Sequence, residues 1–389
     1  MIRVILFAGI FLSVLLGSHL FLYYSIVQFF GITEVATKMY LIIALALLSS
    51  SFFISAALVK THENAITSVM YTLASIWVGV LTNLTMVAAA LWGMYIIGKV
   101  FGLPFSIFYM SLSLTIASLI VSGMGVYNAF HPEIKHIEVA LKNLPEKWKE
   151  KTIVQLSDVH LGVINRKGFL EKVVEKTNSL NPEIVLITGD LFDGMDGALE
   201  GFVEGLKNFK TKKGVYFVNG NHEKYLHNEP DEIIKRAGIK VLNNEITEID
   251  GLQLIGVDYP IPGSVSDGEA LLNGPDYTPE KPSILLYHTP TDVSQKHEDH
   301  SSQQWRDYFH PLTNFTFAKK KKIDLQLSGH THAGQLFPFN LIARIIWGKY
   351  YYGLSKVGDF TIYTSSGTGT WGPPMRTWAE AEIVAITLK

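Results

Sequence analysis

The chain has 389 residues, enough for two domains, and combines 48% hydrophobic residues with only 17% charged ones. That balance is too apolar for a wholly soluble protein, and the formal charge of −2 argues against a nucleic-acid partner. With no cysteine, disulfides and thiolate metal sites are excluded.

The apolar residues concentrate in the first third. Runs over about Val4–Phe30, Met39–Val59, Ala65–Ile97 and Phe105–Tyr127 are each long enough to cross a hydrocarbon core of about 30 Å. "GITEVATK", "KTHEN" and "GKVFGLP" separate them, and the third run leaves room for tilt or an interfacial stretch. The first run does not resemble a cleaved signal, because Arg3 is a meagre basic region and three further spans follow. His19, inside that run, reads as a polar residue at a helix interface. Four spans leave both ends on one side, with Arg3, Lys60, Lys135 and Lys142 there against Lys38 and Lys99 opposite. The positive-inside rule then predicts a multi-pass cell-membrane protein whose C-terminal region is cytoplasmic.

Composition changes near Asn128, which divides the chain into a four-helix transmembrane domain (1–128), a connector (129–150) and a globular domain (151–389). In the globular domain, "KTIVQLSD", "EIVLITGD" and "GVYFVNGN" read as strands alternating with helical patterns in "GFLEKVVEKTNSL", about Gly197–Phe209 and "PDEIIKRAG". From Ile239 onward strands dominate: "IKVLNNE", "LQLIGVD", "PSILLYH", "IDLQLSG", "DFTIYTS" and "AEIVAITL". The predicted fold is an α/β domain with two stacked mixed sheets flanked by helices.

Five of these strands end alike, running into Asp158, Asp190, Asn221, His288 and His330, with His160, Asp193, His222 and His332 close by. Ligand sites in α/β sheets gather beyond the carboxyl ends of strands, so these side chains are expected to converge. Glycines precede Asp190, Asn221 and His330 and would let the backbone turn sharply off each strand. Imidazole nitrogen with carboxylate or amide oxygen suits Mn, Fe or Zn. The donors are too many for one tetrahedral ion and fit two ions sharing a carboxylate. Two such ions, about 3.5–4 Å apart, form a clamp for in-line attack on phosphorus.

The motifs "DVH", "GDLFD", "GNHE", His288 and "GHTH" resemble the calcineurin-like metallophosphoesterases in order, content and spacing. "LSDVHLG", "NPEIVLITGDLFDG", "LSGHTHAGQ" and "YTSSGTGTWGPPMR" are similar to a membrane-associated branch, the relatives of UDP-2,3-diacylglucosamine pyrophosphatase, over about Lys151–Lys389. The resemblance implies one metal held by Asp158, His160, Asp190 and His332, and a second by Asp190, Asn221, His288 and His330, with Asp190 bridging. It implies that His222 binds no metal but serves as general acid or transition-state stabiliser, oriented by Asp193. The cofactors would be two divalent ions, Mn foremost, with Fe or Zn as alternatives.

The chain departs from that pattern in a long stretch between His288 and Asp324. Its His297, His300 and His310 read as surface residues of a polar loop rather than a further metal site. Trp305, Tyr308, Phe309, Phe315 and Phe317, beside the run Lys319–Lys322, suit either a membrane interface or an insertion folded onto the domain. "LFPFNLIARIIWGKYYYG" reads as core in preference to an entry for lipid tails. Arg166 and Arg376 suit phosphate but read as surface salt bridges, and Glu171 and Glu175 as a solvated helix face.

The leading expectation is therefore a membrane-anchored two-metal hydrolase of a phosphoester or pyrophosphate bond, with a lipid-linked substrate expected. The partners are the bilayer and that phosphate compound, and no oligomeric state is indicated. Two alternatives are an enzyme acting on soluble nucleotides with the membrane region only an anchor, and a non-catalytic metal-binding sensor.

Overall fold

The computed structural model describes residues 2–103, 106–195, 199–226, 230–260, 268–295 and 310–389, with side chains described from residue 9 onward. The chain divides into two compact units, Met1–Tyr127 with Gly372–Met375, and Asn128–Trp371 with Arg376–Lys389.

The first unit holds α1 (Ile2–Phe29), α2 (Val35–Thr61), α3 (Ala65–Phe101) and α4 (Ile107–Ala129), all long and apolar enough to cross a membrane. Asn64 starts α3 by a reciprocal capping box with Thr67, and Gly102, in the left-handed conformation, ends it. At 37 residues α3 is about 55 Å long, well beyond the bilayer core, and it is continuous throughout. Leu15, Leu22, Leu45 and Leu81 form the buried contact of α1, α2 and α3. Polar side chains close the helix interfaces: Trp77 Nε1 donates to His19 Nε2 at 3.0 Å, and Asn83 donates to Ser122 at 2.9 Å. His19 thus sits at a helix contact, bonded also to the Leu15 carbonyl.

The second unit contains β1 (Glu133–Val139), β2 (Thr152–Leu156), α5 (Lys167–Ser179), β3 (Val185–Thr188), α6 (Val203–Leu206), β4 (Val215–Val218), α7 (Pro230–Arg236) and β5 (Lys240–Val241). It continues through β6 (Glu245–Ile249), β7 (Leu252–Gly256), α8 (Gly268–Asn273), β8 (Ser283–Leu286), α9 (Thr316–Lys320) and β9 (Leu325–Ser328). It ends with α10 (Phe339–Trp347), β10 (Gly353–Val357), β11 (Phe360–Thr364) and β12 (Glu382–Leu388). One six-stranded sheet has the order β1-β12-β2-β3-β4-β5, and the other β10-β11-β9-β8-β7-β6. In the first, β2, β3 and β4 are parallel neighbours; in the second, β7, β8 and β9 are. Every residue of β3, β4, β8 and β9 is buried, as expected of central parallel strands covered on both faces.

Ile153, Leu186, Val218, Leu254, Leu286, Leu327 and Ile386 belong to the apolar layer between the sheets. Val154, Ile187 and Phe217 face the other way, against Leu170 and Val173 of α5 and Ile234 of α7. A third cluster, with Leu285, Phe315, Phe360 and Ile362, covers the outside of the second sheet. The two mixed sheets with flanking helices are the architecture that the strand pattern predicts.

Several details differ from the sequence reading. Residues read as a connector carry β1, which pairs in parallel with β12 from Glu133↔Glu382 to Val139↔Leu388. Strand "IKVLNNE" shrinks to a two-residue β5 before the chain turns into β6. Phe315 is fully buried against Tyr350 and Phe360, so it forms core rather than a membrane contact, and Phe317 packs beside it. Trp305, Tyr308, Phe309, His297 and His300 lie outside the described residues, while His310 is exposed. Glu171 and Glu175 are exposed on α5. The segment read as core instead forms α10, buried along only one face, because its apolar residues surround most of the helix.

Candidate metal centre

Asp158, Asp190 and Asn221 follow the parallel strands β2, β3 and β4 of the first sheet, and His288 and His330 follow β8 and β9 of the second. The two sheets thus bring these carboxyl ends to one place. Asp158, His160, Asp190, His330 and His332 all adopt left-handed backbone angles, with φ between +49° and +70°. Such φ values are strained for non-glycine residues and are characteristic of functional sites. Here they swing each donor off its strand.

Of the neighbouring glycines, Gly189 takes the sharp left-handed bend that the sequence suggests, and the other two have another role. Gly220 and Gly329 are not at positive φ; the bend falls on the donors that follow or face them. A Cβ on Gly220 would overlap the Asp190 carboxylate, and one on Gly329 would overlap Ser157 Oγ and Asp158 Oδ2. These two glycines are required by close approach.

Three groups of donors result, one of which, His160, Asp190 and His222, shares residues with the other two. Asp158, His160 and His332 form the first of those two, and Asp190, His288 and His330 the second, with the donor atoms in each within 4.8 Å of one another. His332 Nε2 lies 3.1 Å from His160 Nε2 and 3.3 Å from Asp158 Oδ1. In the second group, His288 Nε2 lies 3.2 Å from Asp190 Oδ2 and 3.3 Å from His330 Nδ1. Asn221 Oδ1 joins them, 2.9 Å from His330 Nδ1 and 3.2 Å from His288 Nε2. Asp190 Oδ2 also lies 3.9 Å from His160 Nε2, so a single carboxylate faces both groups.

Burial, with the neighbouring His222, holds the His160 imidazole well below its usual range, and burial with His160 does the same to His332. Burial and His288 push His330 down to about 3. These rings are neutral at physiological pH and carry the lone pair a metal requires. Burial opposes charge on His288 too, but the Asp190 carboxylate outweighs it and raises that imidazole to about 10. Asp190 itself stays well below the usual carboxylate range despite burial, because His288 and His222 surround it. The field beside Asp190 therefore favours a cation. His288 Nδ1 donates to the Thr188 carbonyl at 2.8 Å, so Nε2, which faces Asp190, is the nitrogen at which a metal ion would replace the second proton.

His222 and Asp193 occupy the edge of the cluster. His222 Nδ1 donates to the main-chain oxygen of Asp193 at 2.7 Å, and its Nε2 faces Asp190 Oδ2 at 4.0 Å. Asp193 thus meets His222 through its carbonyl. Its carboxylate instead accepts from Val163 N and Met195 N, and Gly162 lies too close to it to leave room for a side chain.

Glu223 carries more of the site than the sequence reading gave it. Its buried carboxylate accepts from the backbone N–H groups of Asp190 (2.9 Å), Gly220 (2.8 Å) and Phe192 (3.1 Å), tying the ends of β3 and β4 together. Burial, reinforced by Asp190, raises it to about 7. The final residue of "GNHE" was the available signal. Arg376 likewise differs from expectation: it is 1% exposed, and its guanidinium donates to the carbonyls of Ser366, Gly367, Gly369 and Ala379. Gly367 lies against Asp158 and His332, so Arg376 braces the wall behind the first donor group. Arg166 is exposed at the start of α5.

Comparison with known proteins agrees with this geometry. Residues 151–334 match the calcineurin-like phosphoesterase family. A Danio rerio transmembrane protein with metallophosphoesterase domain is 34% identical over 297 residues, covering 71% of this chain and 62% of that protein. This chain thus spans less than two thirds of that relative's length. An uncharacterized metallophosphoesterase of Campylobacter jejuni is 32% identical over 289 residues, covering 72% of this chain and 69% of its own. One from Helicobacter pylori is 35% identical over 271 residues, covering 68% and 66%. The chain, a membrane protein by its four apolar helices, belongs to the calcineurin-like metallophosphoesterase family.

Proposed function

We propose that the chain is a membrane-anchored phosphoesterase with two divalent ions, Mn foremost and Fe or Zn as alternatives. The observation that carries this reading is Asp190 Oδ2, which faces His288 at 3.2 Å and His160 at 3.9 Å and so belongs to both donor groups. Asp158, His160, Asp190 and His332 would hold one ion, and Asp190, Asn221, His288 and His330 the other. Bound there, the ions would polarise phosphoryl oxygens and lower the pKa of water for in-line attack.

His222 keeps its Nδ1 proton on the Asp193 carbonyl, which leaves Nε2 to act on substrate. Protonated there, it would donate to the leaving oxygen; as an N–H donor it would also stabilise charge on the phosphoryl group. Asp193 is a positioning residue for that imidazole. The test is hydrolysis of bis(4-nitrophenyl) phosphate by Mn-loaded full-length protein, which Asp190→Asn and His330→Ala should abolish. Full activity in either variant would overturn the two-metal reading.

The substrate we favour is a phosphoester or diphosphate linked to lipid. Its support is the four membrane helices, where one would suffice as a tether. Rates on a lipid diphosphate in vesicles against a water-soluble nucleotide separate this from a nucleotide enzyme. Placement of the catalytic unit in the cytoplasm rests on the lysine distribution alone and is tested by protease accessibility in intact cells.

A further inference from the structure

Helix α10 has two unlike faces. Asn340, Ala343 and Trp347 point inward and are buried, and the Trp347 ring meets that of His330 edge-on at 5.6 Å. On the other side, Phe339, Leu341 and Ile342 are about half exposed and Ile345 is 81% exposed, with Phe337 exposed just before the helix. A contiguous apolar strip of this kind on a folded unit marks an interaction site.

We propose that this outer face of α10 seats in the headgroup region of the lipid bilayer. Three observations select the bilayer as the occupant. The chain carries four helices long and apolar enough to cross a membrane, and only three residues separate the end of α4 at Ala129 from β1 at Glu133. Lys135, six residues after Ala129, reaches Tyr352 Oη at 2.6 Å, and Tyr352 follows α10 after one short 3-10 turn. Six residues span at most about 20 Å, so Lys135 stays within that reach of the end of α4, and its partner Tyr352 lies five residues after the end of α10.

Charge agrees with this. Residues Leu336–Gly353 contain no acidic residue, and Arg344 and Lys349 are exposed on and beside the helix. Apolar side chains flanked by cations suit anionic lipid. A second copy of the chain fits less well. Five partly exposed side chains offer on the order of 500 Å², short of the roughly 800 Å² per partner in a stable interface. Seated in this way, α10 would present its inner residue Trp347, and with it His330, close to the headgroups.

This inference stands on the membrane helices and not on the phosphoesterase reading, and its test needs no activity. The absence of cysteine makes single-site labelling direct. Full-length Ile345→Cys, Leu341→Cys and, as a control on α5, Glu171→Cys are each labelled with an NBD fluorophore and reconstituted in phosphatidylcholine–phosphatidylglycerol vesicles. The expected result is blue-shifted emission and at least two-fold quenching by doxyl-labelled lipid at 345 and 341, with neither at 171. Emission at 345 and 341 as polar and unquenched as at 171 would overturn the proposal. Blue-shifted emission without lipid quenching, together with an Ile345→Cys disulfide between copies, would also overturn it and identify a dimer face.

Discussion

His160 Nε2 and His332 Nε2 point at each other across 3.1 Å, although 172 residues separate them in sequence. Both rings are held neutral by burial, and Asp158 Oδ1 stands 3.3 Å from His332 Nε2. Two neutral imidazoles with their nitrogens this close beside a carboxylate have donor types that suit a divalent cation. Two residues earlier in the chain, His330 turns its Nδ1 to Asn221 and His288 instead. The pair "HTH" therefore serves two groups, which positive φ at both histidines makes possible. Replacing His332 with Ala is expected to remove one ion per chain and leave the other, read as metal content by mass spectrometry. His330→Ala should give the same loss at the other group.

The role of His222 separates from that of the ligands in a single comparison. Its Nε2 lies within reach of Asp190 and His160, so position alone permits ligation. As a proton donor, His222→Asn should lower kcat by about 10²–10⁴-fold while metal content stays at two ions per chain. Loss of an ion in that variant would reassign His222 as a ligand.

Glu223 provides a test of how the donors are held. Its carboxylate accepts three backbone N–H groups, which a glutamine cannot do with both of its terminal atoms. Glu223→Gln forces an amide N–H₂ against one of those donors, at a cost of about 1–3 kcal/mol in stability. Because Asp190 and Gly220 shift together, metal affinity should also fall by about 10–100-fold. A variant with reduced melting temperature but unchanged metal affinity would show that Glu223 supports only the fold.

Much of this arrangement is legible in the sequence because strand-end donors leave a local signature. An apolar run followed by Asp, Asn or His appears five times, and the parallel pairing of β2 with β3, of β3 with β4, and of β8 with β9 brings those ends together. Long apolar runs likewise announce α1 to α4. What escapes the sequence is set by tertiary packing. Arg376 has the composition of a surface residue but is buried, with five carbonyls accepting from its guanidinium. Of the glycines expected to bend the chain before a donor, Gly189 does so, whereas beside Gly329 the left-handed residue is His330 itself. Segment "FNLIARIIW" is apolar around most of its circumference, so periodicity alone could not say which face is covered.

Glycine at 329 gives a steric prediction. A methyl group there would overlap Ser157 Oγ and the Asp158 carboxylate, which are themselves hydrogen-bonded at 2.6 Å and fully buried. Neither neighbour can retreat, so Gly329→Ala should cost about 1–3 kcal/mol and displace Asp158 from the first donor group. Thermal unfolding with and without added Mn should show a lower melting temperature and a smaller metal-induced rise. An unchanged response to Mn would mean that Asp158 keeps its place.

Arg376 connects stability to the site through the chain that follows β11. Its guanidinium holds the carbonyls of Ser366, Gly367 and Gly369, and Gly367 backs onto Asp158 and His332. Buried Glu382 secures the same loop by accepting from Ser366 N at 2.9 Å, and also accepts from Tyr363 Oη at 3.0 Å. Arg376→Met would leave the Ser366 and Gly369 carbonyls without that donor, while the Gly367 carbonyl keeps Glu382 N at 3.0 Å and Glu382 keeps Lys135 Nζ at 3.9 Å, costing about 1–3 kcal/mol. Arg376→Lys keeps the charge but cannot span several carbonyls with one ammonium, so an intermediate loss is expected. Denaturant titration ranks the three proteins as wild type, Lys, then Met. If Lys matches wild type in both stability and metal content, charge alone is what the loop needs. If it matches in stability but loses the ion at Asp158, His160 and His332, the guanidinium geometry sets the site.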